Sequence, residues 1–455
     1  MENKQPKNKN LLDPAQGQEP TIVPVSPKKS FLHVYGEIIE PIDIIKAAQN
    51  LGVIKRQRKV DIPALVEASI TAMSPQDGNQ TTIFSNYLSL TGQKLAPSAF
   101  YDRFSPEFAQ LIQQLAGRAV TAVRELTGDE RYVGEFGLLL DYFDDVRIAD
   151  STCYILKKLA KDWAPSTSKK RPAGIKLHTV ISLKNTLPMA GSITAQKTHD
   201  NKGFPEQTLE PGTLMLFDLG YIDVSRFIEA TQQGAFFITR LKSTHDPEIV
   251  RVYQGKGSRL AARGLRIHDA IASGILETKA GALDLDVRIS DGKQEAVVRV
   301  VAIDDPTGEQ HFYICNVPRQ WLSPHDISET YRLRWIVELM YKHMKSGLGF
   351  SAIRAWRPDA IKALIYSKII ALCLARLLEL SVEEQEGPNA TTQLAIVLAL
   401  SRAIPLLLSV SYMRRGIDIA TMEERILLIA STIARSRNKR RERKKREDRE
   451  NIGFS

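Results

Sequence analysis

Residues 213–220, Thr213-Leu-Met-Leu-Phe-Asp-Leu-Gly220, form an unbroken apolar run closed by an acid and a glycine. A strand with one wet face alternates apolar and polar residues, and this run does not. It reads as a strand buried on both faces, as strands of parallel sheets are, and sites form at the carboxyl ends of such strands. The chain therefore belongs to the α/β class. Its neighbours agree. Upstream, short apolar runs at 137–140 and 146–149 lead into Asp150-Ser-Thr. Residues 176–183 and 189–195 then read as strands of a meander, preceded by the basic loop 166–172. Downstream, 222–232 reads as a helix and 235–241 as a further strand.

At 455 residues the chain is too long for one simple core, so several domains are expected. Residues 1–30, rich in Asn, Gln, Pro and Lys, read as a disordered tail. Residues 31–130 read as a helical N-terminal DNA-binding domain. Helices are expected at 43–51 and 62–73 with the basic run 55–59 between them. A helix-turn-helix is expected over 83–104 with its turn at Gly92, and a longer helix follows to 127. Residues 131–244 and 319–357 would be the two parts of a catalytic domain. They are separated by a β-rich insertion at 245–318, with strands at 283–289, 295–303 and 311–315. Residues 358–435 read as helical and 436–455 as a basic tail. The net charge of +10 points to a polyanionic partner. Cys153, Cys315 and Cys373 form no CxxC pair, which argues against a zinc site and for a reducing cytoplasm. The apolar segments 361–380 and 394–408 carry charges or proline and read as buried helices, so no membrane association is expected.

Residues 331–345 read as one amphipathic helix whose Leu333, Ile336, Val337, Leu339, Met340 and Met344 face a core. Tyr331, Arg334, Glu338 and Lys345 stand at offsets of 0, 3, 7 and 14. At about 100° per residue they share a sector roughly 60° wide. A carboxylate on that face can hold a divalent metal, and the cations can hold phosphates. A solvated face with an i,i+4 Arg–Glu pair gives the same pattern. Asp150 and Asp218 break the tie. Two aspartates on strands, with a glutamate brought across by a helix, is how a two-metal phosphoryl-transfer site is built, although an aspartate at a strand end can also be a turn cap.

Tyr331, Arg334, Glu338 and Lys345 also reproduce the pattern Y-x2-R-x3-E-x6-K without a gap. In this the chain resembles DDE transposases of the bacterial insertion-sequence-four family. Asp150-Ser-Thr and the following strand 174–178 resemble the family's first-aspartate segment, and 218–221 with the strand 236–242 its second. The likeness spans roughly 140–380. It implies a multidomain α/β protein with a ribonuclease-H-like mixed sheet, interrupted by the β-rich insertion. It implies Asp150, Asp218 and Glu338 as catalytic ligands of two Mg²⁺ ions, with Mn²⁺ as a substitute. Arg334 and Lys345 would grip phosphates beside the cut, assisted by Tyr331. Water attacks at the transposon end, and the freed 3′-hydroxyl then attacks target DNA. Terminal inverted repeats and target DNA are the implied partners, in a synapsed homodimer within the bacterial cytoplasm at the nucleoid.

Asp141, Asp144 and Asp145 compete with Asp150, and Asp223 competes with Asp218 less well because it sits where a helix N-cap is expected. His178 and His199 read as structural. Arg240 and Lys242, on or just after a strand, are candidate DNA contacts. Trp321 is a candidate for stacking on a flipped base, whereas Trp335 reads as packing. A basic structural or RNA-binding protein would explain the charge and leave the spaced acids unexplained, and two further rival readings stand. A ribonuclease-H-like nuclease would hydrolyse DNA without strand transfer, and a domesticated DNA-binding protein would keep the fold without catalysis.

Overall fold

The computed structural model describes residues 31–55, 60–73, 79–127, 137–184, 187–205, 208–242, 244–305, 307–347, 353, 355–386, 407–418 and 421. The expected tails at 1–30 and 436–455, and residues 56–59 of the first basic run, lie outside them. The chain divides into two compact units. Among the described residues, one holds 127–153 and 175–341, and the other holds 31–126, 154–174 and those from 342 onward.

The first unit is built on a nine-stranded mixed sheet. Its strands are β1 (Asp145–Ile155), β2 (Gly174–Ser182), β3 (Leu187–Ala195), β4 (Thr213–Phe217), β5 (Phe236–Arg240), β6 (Glu248–Gln254), β9 (Ala282–Ser290), β10 (Glu295–Asp304) and β11 (Gln310–Cys315). A separate ribbon pairs β7 (Lys256–Gly257) with β8 (Leu276–Glu277). The order across the sheet is β3-β2-β1-β4-β5-β11-β10-β9-β6. β1, β4 and β5 run parallel, and β11 returns antiparallel on β5. The section 245–318 thus continues the sheet of the acid-bearing strands.

β4 is buried at all five positions, as its unbroken apolar run requires. The helix Val224–Gln233 follows it, capped by the Asp223 carboxylate on the Ser225 N–H and ended by Gly234 at φ 76°. Phe227 of this helix stacks on Phe237 of β5 with ring centroids 4.3 Å apart. Around that pair, Phe217, Leu285, Val287 and Val300 form one core running beneath both halves of the sheet. Residues at i and i+2 of β9 and β10 supply it, which is the period of a half-buried strand.

The second unit is helical: Phe31–Ile38, Pro41–Asn50, Ile62–Thr71, Gln80–Thr91, Pro97–Tyr101, Pro106–Thr127 and Pro358–Glu386, with residues 407–414 also helical. Gly92 caps Gln80–Thr91 in the left-handed region at φ 64°, as the expected turn requires. The second helix of the anticipated helix-turn-helix has only five residues. Its Phe100 is fully buried against Phe84, Tyr87 and Phe104. The aromatic residues of 97–104 are used for packing. Among the described residues no helix is long and apolar enough to cross a membrane, and Ile361, Leu364 and Ile370 are buried in the core of their unit.

Candidate active site

The register of β1 on β4 sets the two aspartates. The last paired residues are Ala149 and Phe217, so Asp150 and Asp218 stand at the next rung of neighbouring parallel strands. Side chains on one rung share a face, and adjacent strands lie about 4.8 Å apart. Asp150 is not at a strand end, as the sequence suggested, because β1 continues to Ile155. What ends there is the pairing with β4. Asp218 opens a single 3-10 turn, Leu219–Tyr221, without capping it by its side chain. Its carboxylate is therefore not spent on the local turn.

Glu338 arrives from the opposite end of the unit's sequence, on a helix that differs from expectation. Residues 331–345 are not one helix. Pro324–Arg332 ends, and Trp335–Gly347 begins after two intervening residues. At the joint, Leu333, Arg334, Ile336 and Val337 bond back to carbonyls three residues earlier, a tighter winding than the α-helical four. Tyr331 thus belongs to the first helix, Arg334 to the joint and Glu338 to the first turn of the second. The core side also departs from the expected one. Val337 and Tyr341 are buried, Leu333 and Ile336 are half-buried, and Leu339 is exposed. The side chains of Met340 and Met344 lie outside the described residues. Tyr341 donates its hydroxyl to the Asp150 carbonyl at 2.9 Å, fastening the second helix to β1. A tyrosine on an apolar helix face reads as core, so this tie is not visible in the sequence.

The Arg334 guanidinium joins the three acids. It donates to Asp150 Oδ2 at 3.0 Å and to Glu338 Oε1 at 2.6 Å, and its Nε lies 3.9 Å from Asp218 Oδ1. The expectation for Arg334 was a grip on phosphate, whereas here it binds carboxylates. Asp150 is the most buried of the acids, at 8% exposure. Burial pushes its carboxyl up to about 7. The Ser151 N–H and Arg334 oppose that rise, and the charges of Asp218 and Glu338 add to it. The folded value lies above the ordinary 3.8, so between the two the folded state binds more protons than the unfolded state. In metal-free buffer this carboxyl's contribution to stability is full below about pH 4 and is lost as pH rises through about 7. Melting temperature in EDTA should fall over that interval, and Asp150→Asn should flatten the fall. An equally steep fall in both proteins would assign it to another group.

The other candidates fall as follows. Tyr331 is buried with its ring 5.4 Å from that of Tyr313, and burial pushes its phenol up to about 12, so it stays a hydrogen-bond donor. Arg240 is exposed at the end of β5, and Lys242 is half-buried just beyond it. Lys345 places its ammonium 5.6 Å from the centre of the Tyr154 ring. Asp145, a rival first aspartate, is buried at the start of β1 and bonded to Arg147 and Ser182. His178 is fully buried, with its ring nitrogens on the Tyr221 and Thr194 hydroxyls, and burial lowers it to about 4. Both nitrogens being engaged, it is structural. His199 is exposed and caps a short turn through the Asn201 N–H. Trp321 packs against Tyr142, Phe143 and Phe236. Trp335 is 59% exposed, against the expectation of packing, because the joint turns it off the buried side. A separate group, Asp305, Glu309 and His311, brings its ligand atoms within 4.8 Å of one another in the β10–β11 hairpin.

The family described as "Transposase DDE domain" matches residues 141–374, slightly more than half of the chain, and the chain belongs to that family. It is an enzyme of DNA cleavage and strand transfer. It is similar to the transposase for insertion sequence element IS231E of Bacillus thuringiensis subsp. finitimus, with 21% identity over 379 residues, covering 74% of this chain and 77% of the relative. The transposase for IS231D of the same subspecies is 23% identical over 385 residues, covering 74% and 77%. Among solved structures, a chain of the piggyBac transposase synaptic complex with hairpin DNA aligns at 10% identity and a TM-score of 0.44, covering 89% of this chain and 85% of that one.

Proposed function

We propose that this chain moves an insertion sequence of the insertion-sequence-four type, and that Asp150, Asp218 and Glu338 are its catalytic metal ligands. One observation carries the reading: three carboxylates from widely separated segments meet at one guanidinium. They are hard oxygen donors and already gather around a cation, which fits divalent magnesium. Two Mg²⁺ ions held there, or Mn²⁺ in their place, would activate the attacking oxygen and stabilise the leaving one. Arg334, released from the carboxylates, presents the fork that matches a phosphate. Tyr331, protonated throughout the working range, donates a hydrogen bond beside it. Lys345, Arg240 and Lys242 add positive charge for the DNA backbone. So does the basic loop 166–172, whose Lys169, Lys170 and Arg171 are all exposed. The mixed sheet, with parallel β1, β4 and β5, supports a ribonuclease-H-like catalytic domain. The helices before residue 127 supply the DNA-binding part. The working form is a homodimer that synapses two inverted-repeat ends in the bacterial cytoplasm.

The test uses the inverted repeats that this reading expects on either side of the gene. A duplex ending in those repeats, a supercoiled target plasmid and Mg²⁺ are incubated with the protein, and the products are sequenced. Cleavage at the repeat end followed by joining to the plasmid is expected. Cleavage without joining would make the protein a nuclease, and binding without either step would make it a domesticated DNA-binding protein.

A further inference from the structure

We infer that Asp200 is a positioning residue that sets the spacing and orientation of Asp150 and Asp218; the inference rests on those two as metal ligands. Asp200 lies in the 3-10 turn Asp200–Gly203, after β3. Its Oδ1 accepts from the Ser151 hydroxyl at 3.0 Å and from the Lys176 ammonium at 2.9 Å. Lys176 is held in turn by the Thr198 carbonyl, also at 2.9 Å. Ser151 is the link to the first aspartate, because its N–H donates to Asp150 Oδ1 at 2.6 Å. One carboxylate therefore fixes the residue that orients another.

The second oxygen of Asp200 faces the turn after Asp218. A Cβ added to Gly220 would come within 2.7 Å of Asp200 Oδ2, so any side chain there would push the Asp200 carboxylate from its place. The next residue, Tyr221, closes the turn by donating its N–H to the Asp218 carbonyl. Its hydroxyl lies 2.7 Å from His178 Nδ1, and that nitrogen is 3.9 Å from Asp200 Oδ1. Asn201 extends the strut. It donates to Asp223 at 2.7 Å and accepts from Arg226 at 2.6 Å, both at the start of the helix that follows Asp218. Residues 200–201 thus brace the strand carrying Asp150 against the turn carrying Asp218. A metal site needs its ligands within about half an ångström of the productive geometry, and partners behind the ligands typically change metal affinity 10–100-fold.

The experiment measures Mn²⁺ binding to the full chain on terminal-repeat DNA, by the loss of the free-ion paramagnetic resonance signal, alongside DNA affinity and melting temperature. Wild type, Asp200→Ala, Asp200→Asn, Ser151→Ala and Glu338→Gln are compared. Asp200→Ala should raise the Mn²⁺ concentration for half-saturation about tenfold while DNA affinity holds, and excess Mn²⁺ should restore cleavage. Asp200→Asn, which keeps an acceptor for Ser151, should lie between it and wild type. If Asp200→Ala does not fold, Ser151→Ala carries the test, with a smaller shift in the same direction. Variants that take up Mn²⁺ like wild type would overturn the role of Asp200 and leave the metal site standing. Wild-type uptake unaffected by Glu338→Gln would overturn the metal site itself, and this inference with it.

Discussion

Glu338→Gln should bind terminal-repeat DNA within about twofold of wild type and lose both end cleavage and joining by roughly a thousandfold. The magnitude follows from the several kcal/mol that a bound metal contributes to transition-state charge, at about 1.36 kcal/mol per tenfold. The substitution is conservative where structure matters. The glutamine carbonyl oxygen can still accept the Arg334 hydrogen bond now made at 2.6 Å, so the joint and the start of the second helix stay as they are. What goes is the negative charge that a divalent ion requires. Gel-shift titration and a product assay on the same preparation separate the two effects. Equal cutting by both proteins would put the metal site elsewhere.

Arg334→Ala should cost stability in the metal-free enzyme and activity in the metal-bound one. Without metal, the guanidinium is the common partner of Asp150, Asp218 and Glu338. Removing one partner of a buried ion pair leaves the other charge uncompensated, at a cost of roughly 3–5 kcal/mol. Asp218 and Glu338 are partly exposed, at 40% and 36% for their side chains, and water screens them, so a figure of about 3 kcal/mol is expected. That is a fall of roughly 6–12 °C in melting temperature for a unit of this size in EDTA. Mg²⁺ should recover most of it, because the ion replaces the missing charge among the same oxygens. Activity should stay low with metal present, since the phosphate contact assigned to Arg334 is gone. Adding Glu338→Gln to Arg334→Ala should recover part of the metal-free loss, and the non-additivity measures the coupling of the pair. A melting temperature unchanged in EDTA would show that the contacts carry no energy.

The legible parts of this fold were those that depend on local pattern. The unbroken run before Asp218 announces a strand buried on both faces, and Asp223 announces a helix start. The alternation in 283–289 and 295–303 announces strands. The helix joint was not legible, since Leu333 and Arg334 are both good helix formers and nothing near them breaks a helix. Tyr331 and Tyr341, on either side of the joint, are both buried. Trp335 follows from the joint, its exposure being invisible to a reading that assumed a continuous helix. The extension of the sheet through β11 depends on a pairing with β5 across a long stretch of chain, and local pattern does not encode partners. Asp200 was hidden for the same reason. It sits next to a histidine that drew more notice, and its hydrogen-bond partners are far away in sequence.

The position of β1 and β4 within the sheet has a consequence for how the enzyme fails. Two strands lie outside β1 on one side and five lie outside β4 on the other. Sheets come apart from their edges, where amides exchange with solvent at little cost, and central strands open last. The amides of Ile148 and Leu216, two residues before the acids, should therefore exchange more slowly than those of β3 and β6, as hydrogen exchange would show. Heat or denaturant can peel β3 or β6 and still leave the two aspartates on the same rung. Competence for DNA chemistry should then be lost together with the centre of the sheet rather than with its edges.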